Sequence, residues 1–159
     1  MKKIILLILL CTTIKCYSQQ AEDADKKAVL EKVNHFFVAL EKQDPVLYKS
    51  IMFPKAQIWV VRKQDDSLTN TMRTFAEDIQ RFNPQRIIQE RPLTCEIKIH
   101  NDIAMAWVPY ELSVNGKFSH CGVDVFTLLK TNTDWKIVNL SYSVEPDGCT
   151  AIKKKYYLE

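Results

Sequence analysis

The chain has 159 residues, of which 47% are apolar, 26% charged and 10% aromatic, the balance of one folded domain with a sizeable core. Three Gly and six Pro exclude collagen-like, linker and low-complexity chains. The formal net charge of +3 is no guide to partners, because its source lies in the first few residues.

Residues 1–18 read as an export signal rather than as part of the domain. Lys2 and Lys3 form a basic start, Ile4 to Leu10 is an unbroken apolar run, and Cys16-Tyr17-Ser18 offers small residues to a signal peptidase. The run is too short to span a bilayer comfortably. Cleavage is expected after Ser18, leaving 19–159 as a single domain in the periplasm or outside the cell. Acylation of Cys16 is the alternative, although Lys15 suits a lipobox poorly. Removing the segment takes Lys2, Lys3 and Lys15 with it, so the 22 basic residues fall to match the 19 acidic ones. The mature chain is then about neutral. Its one basic cluster, Lys153-Lys154-Lys155, reads as a solvated tail, and nucleic-acid binding lacks the broad basic face it needs.

Three cysteines remain: Cys95, Cys121 and Cys149. An exported chain can form a disulfide, yet three thiols cannot all pair internally. A bridge from Cys149 to either of the others is open.

Asp23 or Asp25 is a candidate cap for a helix in which Val29, Val33, Phe36, Phe37 and Leu40 form one apolar face. Asp44-Pro45 places a cap and a first-turn Pro before a second helix, with Leu47, Tyr48 and Ile51 inward. Pro54 ends it. Gln57 to Arg62 is predicted as a short strand and Asp65-Asp66-Ser67 as a turn. Thr71 then opens a third helix carrying Met72, Phe75, Ala76, Ile79 and Phe82, closed by Asn83-Pro84. Beyond it the period becomes two. Strands are predicted over Ile87 to Arg91, Leu93 to Ile99, Ile103 to Val114, Lys117 to Lys130 and Trp135 to Val144. His100-Asn101-Asp102 and Thr131 to Asp134 are turns, and Asn115-Gly116 is a two-residue hairpin signal. The class is α+β, with helices on one side of an antiparallel sheet.

This order resembles the nuclear transport factor 2-like superfamily, which includes ketosteroid isomerases, polyketide cyclases and scytalone dehydratase. The resemblance runs from about Ala24 to Val144. Its carriers are the opening helix ending at Gln43-Asp44, the stretch Asp102-Ile103-Ala104-Met105-Ala106-Trp107, the hairpin Asn115-Gly116-Lys117, the strand Gly122-Val123-Asp124-Val125-Phe126, and Trp135-Lys136-Ile137. It implies a cone-shaped curved antiparallel sheet packed on three N-terminal helices, an open-ended apolar cavity, and dimerisation through the sheet.

A two-residue turn at Asn115-Gly116 pairs Trp107 with Asp124, Pro109 with Gly122 and Glu111 with His120, and puts Met105 and Phe126 on the same face. The opposite face, with Ala104, Ala106 and Val108, is uniformly apolar. A bulge at Pro109 would swap the parity beyond it. Asp124 stands mid-strand among apolar neighbours, where desolvation raises a carboxyl pKa and suits it to proton transfer. The resemblance adds that ketosteroid isomerase and polyketide cyclase relatives place a catalytic carboxylate at this strand position. His120 exchanges protons near neutral pH, and Glu111 is placed to orient it. Trp107 offers a flat wall, Phe126 and Phe36 apolar contacts, and Tyr110, otherwise on the opposite face, a hydroxyl if Pro109 bulges. The competing reading is structural: Glu111 and His120 as an ordinary cross-strand pair, with Trp107 at a dimer contact.

No two His residues have metal-ligand spacing, and neither a Gly-rich phosphate loop nor a Gly-x-Ser-x-Gly elbow occurs; no cofactor is expected. The leading expectation is an exported protein that binds a small, largely apolar molecule. The alternatives are a cofactor-independent acid-base enzyme with Asp124 as base and His120 as partner, and a non-catalytic dimeric interaction module.

Overall fold

The computed structural model describes in full residues 22–63, 67–147 and 149–156. The expected signal segment 1–18, its cleavage after Ser18 and the alternative anchor Cys16 lie outside the described residues, as do Asp65 and Asp66 of the expected turn.

Helix α1 (Lys2–Lys42) presents Val29, Val33, Phe36 and Phe37 to the core, all buried. Asp25 accepts hydrogen bonds from Lys130 (2.7 Å) and from the Trp135 indole N–H (3.0 Å), fastening α1 to the far end of the sheet. Gln43 ends the helix in the left-handed region (φ 50°). Helix α2 (Pro45–Ile51) follows, capped by Asp44, whose carboxylate accepts from the N–H groups of Val46 and Leu47.

The next stretch departs from the sequence reading. Strand β1 (Met52–Gln64) pairs with β2 (Ser67–Thr74) as an antiparallel hairpin, so Thr71 and Met72 are in a strand. Helix α3 is the short Phe75–Ile79, opened by a capping box between Thr74 and Glu77. Pro54 sits inside β1, in the stretch where its register with the last strand shifts.

Strands β3 (Ile88–Pro92), β4 (Glu96–His100), β5 (Ile103–Val114), β6 (Lys117–Lys130) and β7 (Trp135–Val144) complete a seven-stranded sheet in the order β2-β1-β7-β6-β5-β3, with β4 also on β5. The sheet is mixed, because β1 and β7 run parallel. Asn115 and Gly116 take positive φ values of 51° and 74° at the hairpin turn, the conformation a two-residue turn of this type demands. A last helix, α4 (Cys149–Tyr156), forms where a solvated tail was expected.

The sheet curves, unclosed, around α1, α2 and α3. The core between them is aromatic: Phe126 meets Phe36 edge-to-face at 5.0 Å, and Tyr48 stacks on Phe75 and meets Phe82. Truncating such a buried ring costs roughly 3–5 kcal/mol.

Candidate functional site

The register of the central hairpin decides which side chains share a face. Next to the turn, Val114 faces Lys117 and Ser113 faces Phe118, but Leu112 then faces His120. Ser119 is therefore an extra residue, a bulge on β6. From there on Val108 faces Asp124, Trp107 faces Val125, Tyr110 faces Gly122 and Glu111 faces Cys121. The expected Trp107–Asp124 and Glu111–His120 pairs do not form. Asp124, Phe126, His120 and Tyr110 point to the concave side with Ala104, Ala106 and Val108. Trp107 and Glu111 point to the convex side.

On the concave side an open cavity of about 200 Å³ lies between the sheet and the helices. Asp124, 1% exposed, and Glu90, half-buried on β3, form its floor, their carboxyl groups close enough to hydrogen-bond when one of them holds a proton. No protein N–H or O–H among the described residues reaches Asp124 Oδ2. Burial pushes both carboxyls up: Glu90 to about 7, and Asp124 well above the usual carboxylate range with the Glu90 charge adding to the rise. Two adjacent carboxyls in a desolvated site cannot both ionise near neutrality, so the pair shares one proton.

Tyr110 stands beside the pair. Its ring crosses β6 at Gly122, where there is no side chain, and its hydroxyl donates to the Ser143 carbonyl on β7 at 2.7 Å. Burial, with Glu90 and Asp124 nearby, pushes the Tyr110 phenol up. His120 meets the Tyr110 ring edge-on at 5.8 Å, and its Nδ1 lies 2.9 Å from Ser119 Oγ. Burial, then the charges of Arg62 and Arg86, hold His120 down at about 4. It is neutral near pH 7.

A second polar group closes the other side. Asp78, 7% exposed, accepts from the Tyr48 hydroxyl and from Arg73, and Arg73 also donates to the Tyr142 hydroxyl at 3.2 Å. Apolar wall comes from Phe36, Leu40, Phe82, Ile88 and Leu140. Phe126 is fully buried beneath Phe36 and does not line the cavity.

Trp107, 37% exposed, donates its indole N–H to the Tyr156 hydroxyl at 3.3 Å, and Glu111 pairs with Lys153 at 2.6 Å. Cys121 is bonded to Cys149, which fixes α4 across β5 and β6. Cys95 is free and half-buried.

The sequence reading missed Glu90. Its signal was the alternation with Ile88, which lines the same cavity, but the partner strand is β5 at Leu112, far along the chain. Among the described residues no cluster of three His, Cys, Asp or Glu side chains is arranged to hold a metal, and no helix is long and apolar enough to cross a membrane.

Residues 24–143 match the model of the family described as "Putative lumazine-binding". No curated protein matches the sequence. Solved structures share the fold. A nuclear transport factor 2-like superfamily protein of Salmonella enterica serovar Typhimurium is 18% identical with a TM-score of 0.60, over 78% of this chain and 93% of that one. A nuclear transport factor 2-like protein of Cytophaga hutchinsonii is 14% identical with a TM-score of 0.59, over 75% and 97%. A putative dehydratase of the same fold from Streptomyces avermitilis is 15% identical with a TM-score of 0.59, over 77% and 97%. With three quarters of its length matched and this cone around a ligand-sized hollow, the chain belongs to the family described as "Putative lumazine-binding", on the nuclear transport factor 2-like fold.

Proposed function

We propose that the protein binds a small flat molecule in the concave cavity, with the Glu90–Asp124 pair as its recognition floor. The pair carries the reading. One proton shared by two carboxyls offers an O–H donor beside acceptor oxygens, and Asp124 Oδ2 has no donor to satisfy it among the described residues. A heterocycle with alternating N–H and C=O groups along one edge matches that pattern, and the family description supports this class. A hollow of about 200 Å³ is smaller than a drug-sized site, which favours one or two fused rings. The expectation of a largely apolar ligand is thereby narrowed: the walls at Phe36, Phe82 and Leu140 suit an apolar ring face, and the floor demands polar atoms at its edge.

Lumazine fluorescence titration tests this. Glu90→Gln or Asp124→Asn is expected to weaken binding about tenfold or more, the cost of a mismatched buried hydrogen bond, while Glu111→Gln on the convex face leaves it unchanged. Equal binding by all four proteins, or none by the wild type, counts against the proposal.

The same pair favours a second reading, acid-base catalysis without a cofactor, of isomerase, cyclase or dehydratase type. A carboxyl poised near 7, as Glu90 is, takes and returns a proton readily near neutral pH. The proton donor is then the pair, with neutral His120 as a hydrogen-bond partner rather than an acid. Turnover of a candidate substrate, lost in Asp124→Asn with binding retained, separates enzyme from binder.

Export belongs to the proposal as well. The basic and apolar start of the chain supports it, and so does a Cys121–Cys149 bond, which persists best in an oxidising compartment. N-terminal sequencing of the exported product should begin near Gln19; an acylated Cys16 would make it membrane-anchored. A homodimer through the convex face is the remaining proposal, supported by exposed Trp59 and its strand neighbour Met72. Sedimentation of Trp59→Lys against wild type tests it.

A further inference from the structure

The cavity has a charged mouth that the floor does not explain. Arg62 reaches it from β1, and Arg81 and Arg86 from the segment between α3 and β3. Among the described residues, none of the three makes an ion pair or a side-chain hydrogen bond, whereas Arg73 is fully engaged by Asp78 and Tyr142. The acidic side chains of the cavity give them no match: Asp78 is taken by Arg73 and Tyr48, and Glu90 and Asp124 hold each other.

Two of these arginines share the cavity wall with His120. Arg62 and Arg86 come from different elements, yet both act on the His120 imidazole, which lines the same hollow. Unpaired cations aimed into a partly desolvated cleft raise the local potential for an anion and form strong charge-assisted hydrogen bonds to one.

We infer that Arg62, Arg81 and Arg86 form an anion subsite at the cavity mouth, which takes a carboxylate or phosphate group carried by the ligand. This rests on the pocket reading and adds a ligand class to it: a small aromatic acid, ring between the apolar walls and anionic group at the mouth. Guanidinium forks suit both oxyanions.

The test uses three fluorescent probes of one ring system: 2-naphthoate, 2-naphthyl phosphate and neutral 2-naphthamide. At least one acid is expected to bind about tenfold more tightly than the amide at low salt, and to lose most of that advantage at about 0.5 M salt. The tighter acid identifies the anion. The Arg62→Gln/Arg86→Gln double variant, which keeps only Arg81 of the three, should lose most of the preference for the acids. Both positions are exposed, so its melting temperature should stay close to wild type, and the salt series on the wild type needs no variant. An amide that binds as tightly as the acids, or an advantage that survives the double variant, overturns the subsite and leaves the pocket reading standing. Failure of all three probes overturns the subsite too, and if lumazine also stays out, the pocket reading falls with it.

Discussion

The two faces of the sheet differ in what stands opposite their charged residues. On the convex face Glu111 has a lysine, Trp107 has a tyrosine hydroxyl, and a disulfide holds the helix that supplies both partners. On the concave face Asp124 and Glu90 have chiefly each other, and three arginines at the mouth have no partner among the described residues. The convex face pairs its charge against a disulfide-held helix, although Glu111 Oε1, like Asp124 Oδ2, is buried without a hydrogen bond among the described residues. A region that leaves buried acceptors and unpaired cations around a hollow stores binding capacity, at a cost in stability.

The largest expected effect breaks the hinge between the two faces. A Cβ at Gly122 would lie 2.1 Å from the Ser143 carbonyl oxygen, a backbone atom that also accepts from Tyr110. Gly122→Val must therefore push β7 away from β6, and is expected to cost about 3 kcal/mol or more in urea denaturation, or to prevent folding.

Reducing the Cys121–Cys149 bond should act on one face alone. It frees a loop of sequence separation 28, and its loss is expected to cost about 3 kcal/mol. Trp107 fluorescence should shift to the red as α4 leaves, with Trp59 and Trp135 replaced so that it reports alone. Probe binding in the concave cavity should persist. Loss of binding on reduction would mean that the two faces are not independent.

The pH dependence of stability separates the groups within the concave face. Glu90 is raised from 4.5 to about 7, so between those values the folded state holds more protons than the unfolded one. Stability then falls as pH rises through that window, by on the order of 2 kcal/mol. His120 is lowered from 6.5 to about 4, so in its window the unfolded state holds more protons and stability falls as pH drops. The two oppose each other between about 4.5 and 6.5, and above 6.5 the carboxyl pair acts alone. Urea denaturation at successive pH values should show a shallow profile that declines above neutrality. Asp124→Asn should flatten that decline and leave folding nearly intact at pH 6.

The smallest effect is expected on the convex rim. Glu111→Gln removes a pair whose lysine is 49% exposed, and should change stability by less than about 1 kcal/mol.

Much of this arrangement was legible in residue order. Apolar spacing from Val29 to Phe37, the Asp44-Pro45 start, and the Asn115-Gly116 turn with strands Ile103–Val114 and Lys117–Lys130 lie where local chemistry puts them. Two failures have physical causes. Met72, Phe75 and Phe82 mimic a helical stripe, but Met72 belongs to an exposed hairpin strand, and the true helix start was signalled by Thr74 and Glu77 three residues apart. The second is the Ser119 bulge. A bulge inserts one residue without a distinctive side chain, and one residue inverts every pairing beyond it. That single step moved Trp107 away from Asp124 and hid the true neighbour, Glu90, whose position depends on long-range pairing of β3 with β5.

The most direct measurement is a carbon-detected NMR titration of the Glu90 and Asp124 carboxyl groups. Glu90 is expected to titrate near 7, with Asp124 responding in the same step because the two share a proton, and Asp124→Asn should leave Glu90 well above its ordinary range, since burial is what raises it. Both carboxyls ionising independently near 4 would contradict the shared-proton floor, and with it the recognition chemistry assigned to the cavity.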